Sequence, residues 1–156
     1  MLTLQAHNPK ICGISYLYGS LKEILTILQT WAQNPTKKCL RYPIVMLIED
    51  FPVNNTNAYY SQAKLNIIIA TDTTLTYSSA ERQINTFDPV LTPIYNELMS
   101  QIGKCPFFVV YNPQKDMPHS KIEHKLWNKS KDKTEIGDYI DAIEIKGLTL
   151  KLEQQC

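Results

Sequence analysis

The sequence predicts an α+β domain: a mostly antiparallel sheet of four or five strands, with two main helices packed on one face, in the order α-β-β-α-β-β. Three observations carry this prediction. Two segments place apolar residues at helical spacing behind a Ser-x-x-Glu cap. Several short runs are rich in β-branched residues and bounded by turn formers. The C-terminal segment alternates apolar and polar residues, with a single slip of phase at Gly147.

The first helix begins at Ser20, whose hydroxyl accepts from the Glu23 amide in a capping box. Leu21, Ile24, Leu25, Leu28 and Trp31 form one stripe, and Asn34-Pro35 stops the helix, giving residues 20–33. Residues 1–19 then form an N-terminal extension to a single domain at 20–156. Pro43-Ile44-Val45-Met46-Leu47-Ile48 is apolar on both faces, so it predicts a strand covered on both sides, interior to a sheet or clamped in an assembly. Ala63-Lys64-Leu65-Asn66-Ile67-Ile68-Ile69-Ala70 predicts a second strand. A second capping box, Ser78-Ser79-Ala80-Glu81, opens a helix through Ile84, Phe87, Leu91, Ile94, Tyr95, Leu98, Met99 and Ile102, closed by Gly103. Pro89 and Pro93 predict a kink or break near Asp88, or two short helices meeting there. Strands follow at Pro106-Phe107-Phe108-Val109-Val110-Tyr111 and over 120–127, with an exposed loop over 128–138. In the last strand Ile143 and Ile145 share a face, and after Gly147 it is Leu148, Leu150 and Leu152 that do so; a β-bulge at the glycine accounts for the slip.

A chain of 156 residues is one domain by size, and 44% apolar with 20% charged residues excludes intrinsic disorder. The net charge of +1 argues against a general nucleic-acid coat protein, which would need many phosphate contacts. No run of about 18 apolar residues predicts a membrane span. The segment from Met1 to His7 lacks the basic and apolar regions of a signal peptide. Cys12, Cys39, Cys105 and Cys156 lie far apart without a CxxC pair, so free thiols are expected and no zinc knuckle. Asn54-Asn55-Thr56 and Asn128-Lys129-Ser130 match the glycosylation sequon by chance in a chain without a secretion signal.

The chemistry-bearing patterns are few. Neither a phosphate-cradling glycine loop nor a GxSxG elbow occurs, and no catalytic, metal or cofactor residue is assigned. His119 and His124 are five apart in an extended segment, so they point to opposite faces and suit joint metal ligation poorly. Glu49-Asp50 ends the first apolar strand, where carboxylates can form a catalytic pair, although adjacent strand residues diverge. Asp138, Asp141 and Glu144 are each three apart in a segment that otherwise reads as strand, and they are expected to lie on a solvated or intersubunit face. Lys115, Lys121, Lys125, Lys129, Lys131 and Lys133 outnumber Asp116, Glu123 and Asp132 around Trp127, which makes 112–138 a candidate interaction loop for a DNA backbone or an acidic partner. Nine tyrosines and two tryptophans suit contact surfaces, but such rings also fill ordinary cores.

Four segments carry a resemblance: Arg41-Tyr42-Pro43-Ile44-Val45-Met46-Leu47; Leu65-Asn66-Ile67-Ile68-Ile69-Ala70-Thr71-Asp72-Thr73; Glu81-Arg82 with Phe87-Asp88-Pro89-Val90-Leu91 and Ile94-Tyr95; and Asp141-Ala142-Ile143-Glu144-Ile145. They resemble small structural proteins of tailed bacteriophages, most similar to those of phages and prophages of Bacteroides-type gut bacteria. The element order resembles that of tail terminator and head–tail joining proteins, over most of 20–152. The resemblance implies a non-enzymatic subunit of a closed ring, six-fold, in the virion and, during assembly, in the host cytoplasm. Its partners would be copies of itself, the tail tube protein and the head connector proteins, with DNA passing through the lumen and the lysine loop facing the lumen or the next ring. The neutral overall charge gives no lumen signature for that passage. Two other readings stand beside it: a small cytosolic enzyme with a carboxylate site at Glu49 and Asp50, and a monomeric interaction module acting through 112–138.

Overall fold

The computed structural model describes residues 13–56, 59–127 and 138–153. In chain order the elements are β1 (Ser15–Gly19), α1 (Leu21–Gln33), β2 (Ile44–Ile48), β3 (Val53–Asn54), β4 (Tyr60–Asp72), α2 (Ser79–Arg82), a π-helix (Gln83–Leu91), α3 (Thr92–Lys104), α4 (Pro113–Asp116), β5 (Ser120–His124) and β6 (Ile140–Glu153). The class is α+β, as the sequence predicts. The sheet has six strands in the order β1-β2-β4-β6-β5, with β3 also paired to β4. It is mixed: β1 and β2 are parallel, and every other pairing is antiparallel.

Two expectations are corrected by this topology. Ser15-Tyr16-Leu17-Tyr18-Gly19, expected to lie in an N-terminal extension, is the edge strand β1. A five-residue strand with two aromatics and no flanking turn signal other than its own glycine is too short to register as a period. With β1 in place, β1-α1-β2 becomes a helical crossover between parallel strands, which a parallel pair requires.

The second correction concerns the helices, which cover opposite faces of the sheet. Ile44, Met46, Ile68, Ala70 and Ala142 pack with Ile24 and Leu28 of α1. Val45, Ile67, Ile69, Ile143, Ile145, Leu148 and Leu150 pack with Phe87, Val90, Leu91 and Ile94 of the 79–104 helix. Successive strand residues point to opposite faces, so a strand apolar at every position needs cover on both sides. Ile44, Val45 and Met46 are all buried for that reason.

Both capping boxes form as the sequence predicts, with Ser20 and Ser78 accepting from the Glu23 and Glu81 amides. Around Pro89 the helix does not break, and the helical residues are continuous from Ser79 to Lys104. It widens into nine residues of π-helix that run without a gap into α3, with Pro93 in the first turn of α3. The segment 106–111 is not a strand. It contributes one bridge, Phe108 to Leu152, and a bond from the Val109 amide to the Lys151 carbonyl. The strand expected over 120–127 stops at His124, where a turn with Leu126 at φ 61° follows.

The bulge is where the sequence places it. Leu65 pairs with Leu148 and Ile67 with Ile145, so Asn66 faces both Lys146 and Gly147. Gly147 sits at φ 68°, and its amide donates to Asn66 Oδ1 at 2.9 Å. The slip keeps Leu148 and Leu150 on the same buried face as Ile143 and Ile145.

Candidate functional site

The lysine-bearing stretch separates into parts that the sequence treats as one. Lys129, Lys131 and Lys133 lie outside the described residues. Lys115 is exposed on α4. Lys121 pairs with Glu123 at 2.9 Å and lies over the Tyr95 ring, 4.9 Å from its centroid. Lys125 donates to Ser79 Oγ at 3.2 Å and lies over Phe87. Trp127 is half-buried on the α1 face and stacks on His124 with centroids 5.2 Å apart. Lys121 and Lys125 therefore lean on the 79–104 helix, and Trp127 serves the opposite side of the sheet.

The acidic triplet is corrected. Asp138, Asp141 and Glu144 do not form a shared solvated face; each meets its own cationic or imidazole partner. Asp138 pairs with the largely buried Arg41. Glu144 meets His124 Nε2 at 2.9 Å. Asp141 is fully buried and accepts from Arg82 Nη1 at 3.1 Å, the Thr86 hydroxyl at 2.7 Å and the Leu126 amide at 2.7 Å. Arg82 also donates to the Tyr77 and Thr74 carbonyls. One carboxylate thus ties β6, the helix start and the turn after β5 together. Nearby, burial pushes the Tyr42 phenol well above its ordinary value of 10, with Asp138 adding to the shift.

The two feet of the 128–137 segment are fixed through these groups. The Leu126 amide bonds Asp141 and the Trp127 amide bonds the Ile140 carbonyl, at 2.7 Å each. On the other side the Thr73 amide bonds the Tyr139 carbonyl at 2.8 Å, and Asp138 holds Arg41.

Glu49 and Asp50 are both exposed at the end of β2, with Asp50 at φ 73°. Glu49 lines an open depression of about 840 Å³ together with Tyr18, Lys22, Glu23 and Thr26, and Asp50 is not part of that wall. Glu23 is committed there to the α1 cap, and its bonds to Ser20 hold its carboxyl below the ordinary value of 4.5. The histidines also stay apart. His119 Nδ1 donates to the Met117 carbonyl and its Nε2 meets the Tyr95 hydroxyl, both at 2.8 Å. Among the described residues no group of three or more His, Cys, Asp or Glu is placed to hold a metal ion. No helix among them is long and apolar enough to cross a membrane.

The surface feature that the sequence reading missed is the pair of sheet edges. β1 forms one edge, with Tyr16 59% and Tyr18 53% exposed. Across the sheet, β5 and the segment bridged to the end of β6 form the other, carrying exposed Ile122, Phe107 and Tyr111. A signal for β1 does exist in the sequence: two tyrosines flanking a leucine before a glycine, with no charge among them. No protein-family model, no curated protein and no solved structure matches this chain.

Proposed function

We propose that the chain is a non-enzymatic virion structural protein, a tail terminator or head–tail connector subunit that closes into a ring, six-fold, and joins tail tube to head. The phage role rests on the segment resemblance described above. The structural observation that supports self-assembly is the pair of lateral edges, each bearing exposed apolar side chains and each different from the other. Two unlike patches on opposite sides of a subunit favour heterologous contacts, and heterologous contacts whose rotation closes produce rings. Single exposed apolar residues are common on any protein, but tyrosines on a strand edge that no described strand pairs combine apolar area with outward-facing backbone donors and acceptors.

The test is the assembly state of the purified chain, by light scattering across concentration and by electron microscopy, alone and mixed with candidate tail tube and connector proteins. Closed rings are expected. A monomer under all of these conditions would overturn the reading.

A further inference from the structure

We infer that neighbouring copies join by antiparallel pairing of β1 of one copy with β5 of the next, so that the six-stranded sheets run on from subunit to subunit. This rests on the ring reading above and specifies its contact.

The phase of β1 shows which backbone groups are available. The Ser15 amide donates to the Pro43 carbonyl at 3.1 Å, and the Glu49 amide donates to the Gly19 carbonyl at 2.9 Å. In a parallel pair the residues that bond the neighbour alternate along the strand. Ser15, Leu17 and Gly19 therefore face β2, and the N–H and C=O groups of Tyr16 and Tyr18 face away from it. Charges and proline are the usual guards of such an edge, and β1 contains neither.

The occupant is set by direction, face and charge. β1 and β2 run one way, β4 the other, β6 with β1, and β5 against it. A sheet continued around a ring keeps these directions, so β1 meets a neighbour's β5 antiparallel. Both strands have five residues. Full overlap pairs Tyr18 with Lys121, Leu17 with Ile122 and Tyr16 with Glu123. The faces agree. Tyr16 and Tyr18 sit in register with Val45 and Leu47, on the face covered by the 79–104 helix. Lys121 is on that same face, over Tyr95. Leu17 packs on the α1 face, and Ile122 pairs with Glu144, itself in register with Ile68 of that face. The pairing thus lays apolar Leu17 beside apolar Ile122. It sets the Tyr18 ring against a lysine stem, an arrangement the chain already uses for Lys121 on Tyr95 and Lys151 on Tyr60. It also brings the exposed Glu49, Asp50 and Glu23 at the C-terminal end of β1 toward Lys121 and Lys115 at the N-terminal end of β5.

The test combines a backbone change with cross-linking. Tyr16→Pro removes an N–H that β2 does not use, so the ladder between β1 and β2 survives while the outward edge is blocked. Loss of the oligomer with the monomer's thermal transition preserved is expected. In a background with the four native cysteines replaced by serine, Tyr18→Cys is mixed with Lys121→Cys and, separately, with Glu123→Cys. Disulfide-linked dimers are expected in at least one mixture and in none of the single variants. Cross-linking of Tyr18→Cys with itself would show a two-fold β1–β1 contact and overturn the inference. Rings that form without cross-links and tolerate Tyr16→Pro would overturn it while leaving the ring reading intact. A wild-type chain that never associates would overturn both.

Discussion

Replacing Asp141 with Asn should be among the most damaging single changes available to this chain. The substitution keeps the volume of the side chain and removes its charge. Asp141 is 0% exposed and Arg82 is 6% exposed, so neither water nor a second carboxylate among the described residues takes over the guanidinium. The Leu126 amide and Arg82 Nη1 both donate to Oδ1, and the Thr86 hydroxyl donates to Oδ2. An Asn can keep its oxygen toward Arg82 and Leu126 and donate to the Thr86 hydroxyl, which also has the Arg82 carbonyl to donate to, so the loss is that of the charge beside the buried guanidinium. Removing one partner of a buried ion pair costs about 3–5 kcal/mol. Single domains have about 5–15 kcal/mol in total. At about 2–4 °C per kcal/mol for a domain of this length, the melting transition should fall by roughly 6–20 °C. Urea unfolding followed by circular dichroism reads the change directly. The double variant Arg82→Met with Asp141→Leu separates charge from packing. It removes both ions, so it should be less destabilised than the sum of the two single changes, by up to about 3 kcal/mol. An Asp141→Asn loss below about 1 kcal/mol, or strict additivity in the cycle, would refute the claim that this pair is coupled and desolvated.

Gly147→Ala should cost about 1–2 kcal/mol, because φ 68° penalises any Cβ. The new methyl would also sit 3.0 Å from Lys64 Cε, a flexible chain end that can move aside, so thermal melting should register the backbone penalty alone. Ser20→Ala should remove the cap of α1 and destabilise the domain by about 0.5–2 kcal/mol, measured by urea midpoint. The two cap carboxylates also make a pH prediction. Bonds to Ser20 and Ser78 lower the Glu23 and Glu81 carboxyls below the ordinary value of 4.5. A lowered folded value means the contribution is complete above about pH 4.5 and is lost as pH falls through the lowered value. The Glu23→Gln, Glu81→Gln double variant should therefore show a shallower loss of urea midpoint below pH 4.5 than the parent chain, and equal slopes would count against the cap geometry.

Much of this architecture is legible in the residues because it is local. Ser20-x-x-Glu23 and Ser78-x-x-Glu81 form their caps within one turn, and the slip from Ile145 to Leu148 at Gly147 marks the bulge without reference to any other strand. What was illegible depends on long-range partners. Ile44 to Ile48 announces burial on both faces, but only the placement of α1 against Ile44 and Met46, and of Phe87 against the other side, shows that helices supply the cover. The spacing of Asp138, Asp141 and Glu144 suggests one acidic face. Their partners Arg41, Arg82 and His124 come from three different stretches, so no window of sequence contains the pairs. The 106–111 run shows the reverse failure. Its β-branched and aromatic content reads as strand, yet β5 already pairs with Ala142 to Lys146 of β6, and the run meets β6 at its far end, through the Phe108–Leu152 bridge and the Val109 amide on the Lys151 carbonyl.

The same topology explains why the two edges are unequal. β4 and β6 are 13 and 14 residues long and hydrogen-bonded to strands on both sides, so the middle of the sheet has no free ladder to offer. Of the two edges, β5 carries Lys121 and Glu123, a charged pair of the kind that discourages indiscriminate strand addition. β1 carries none, and its two outward-facing residues are half-exposed tyrosines. Two bare edges would aggregate without limit, and two guarded edges would not associate. One bare edge and one charged edge admit the unlike pair, which lays Leu17 beside Ile122 and Tyr18 beside Lys121, whereas β1 against β1 forgoes the contact of tyrosine with lysine. An unlike pair is the contact type from which a closed ring is built.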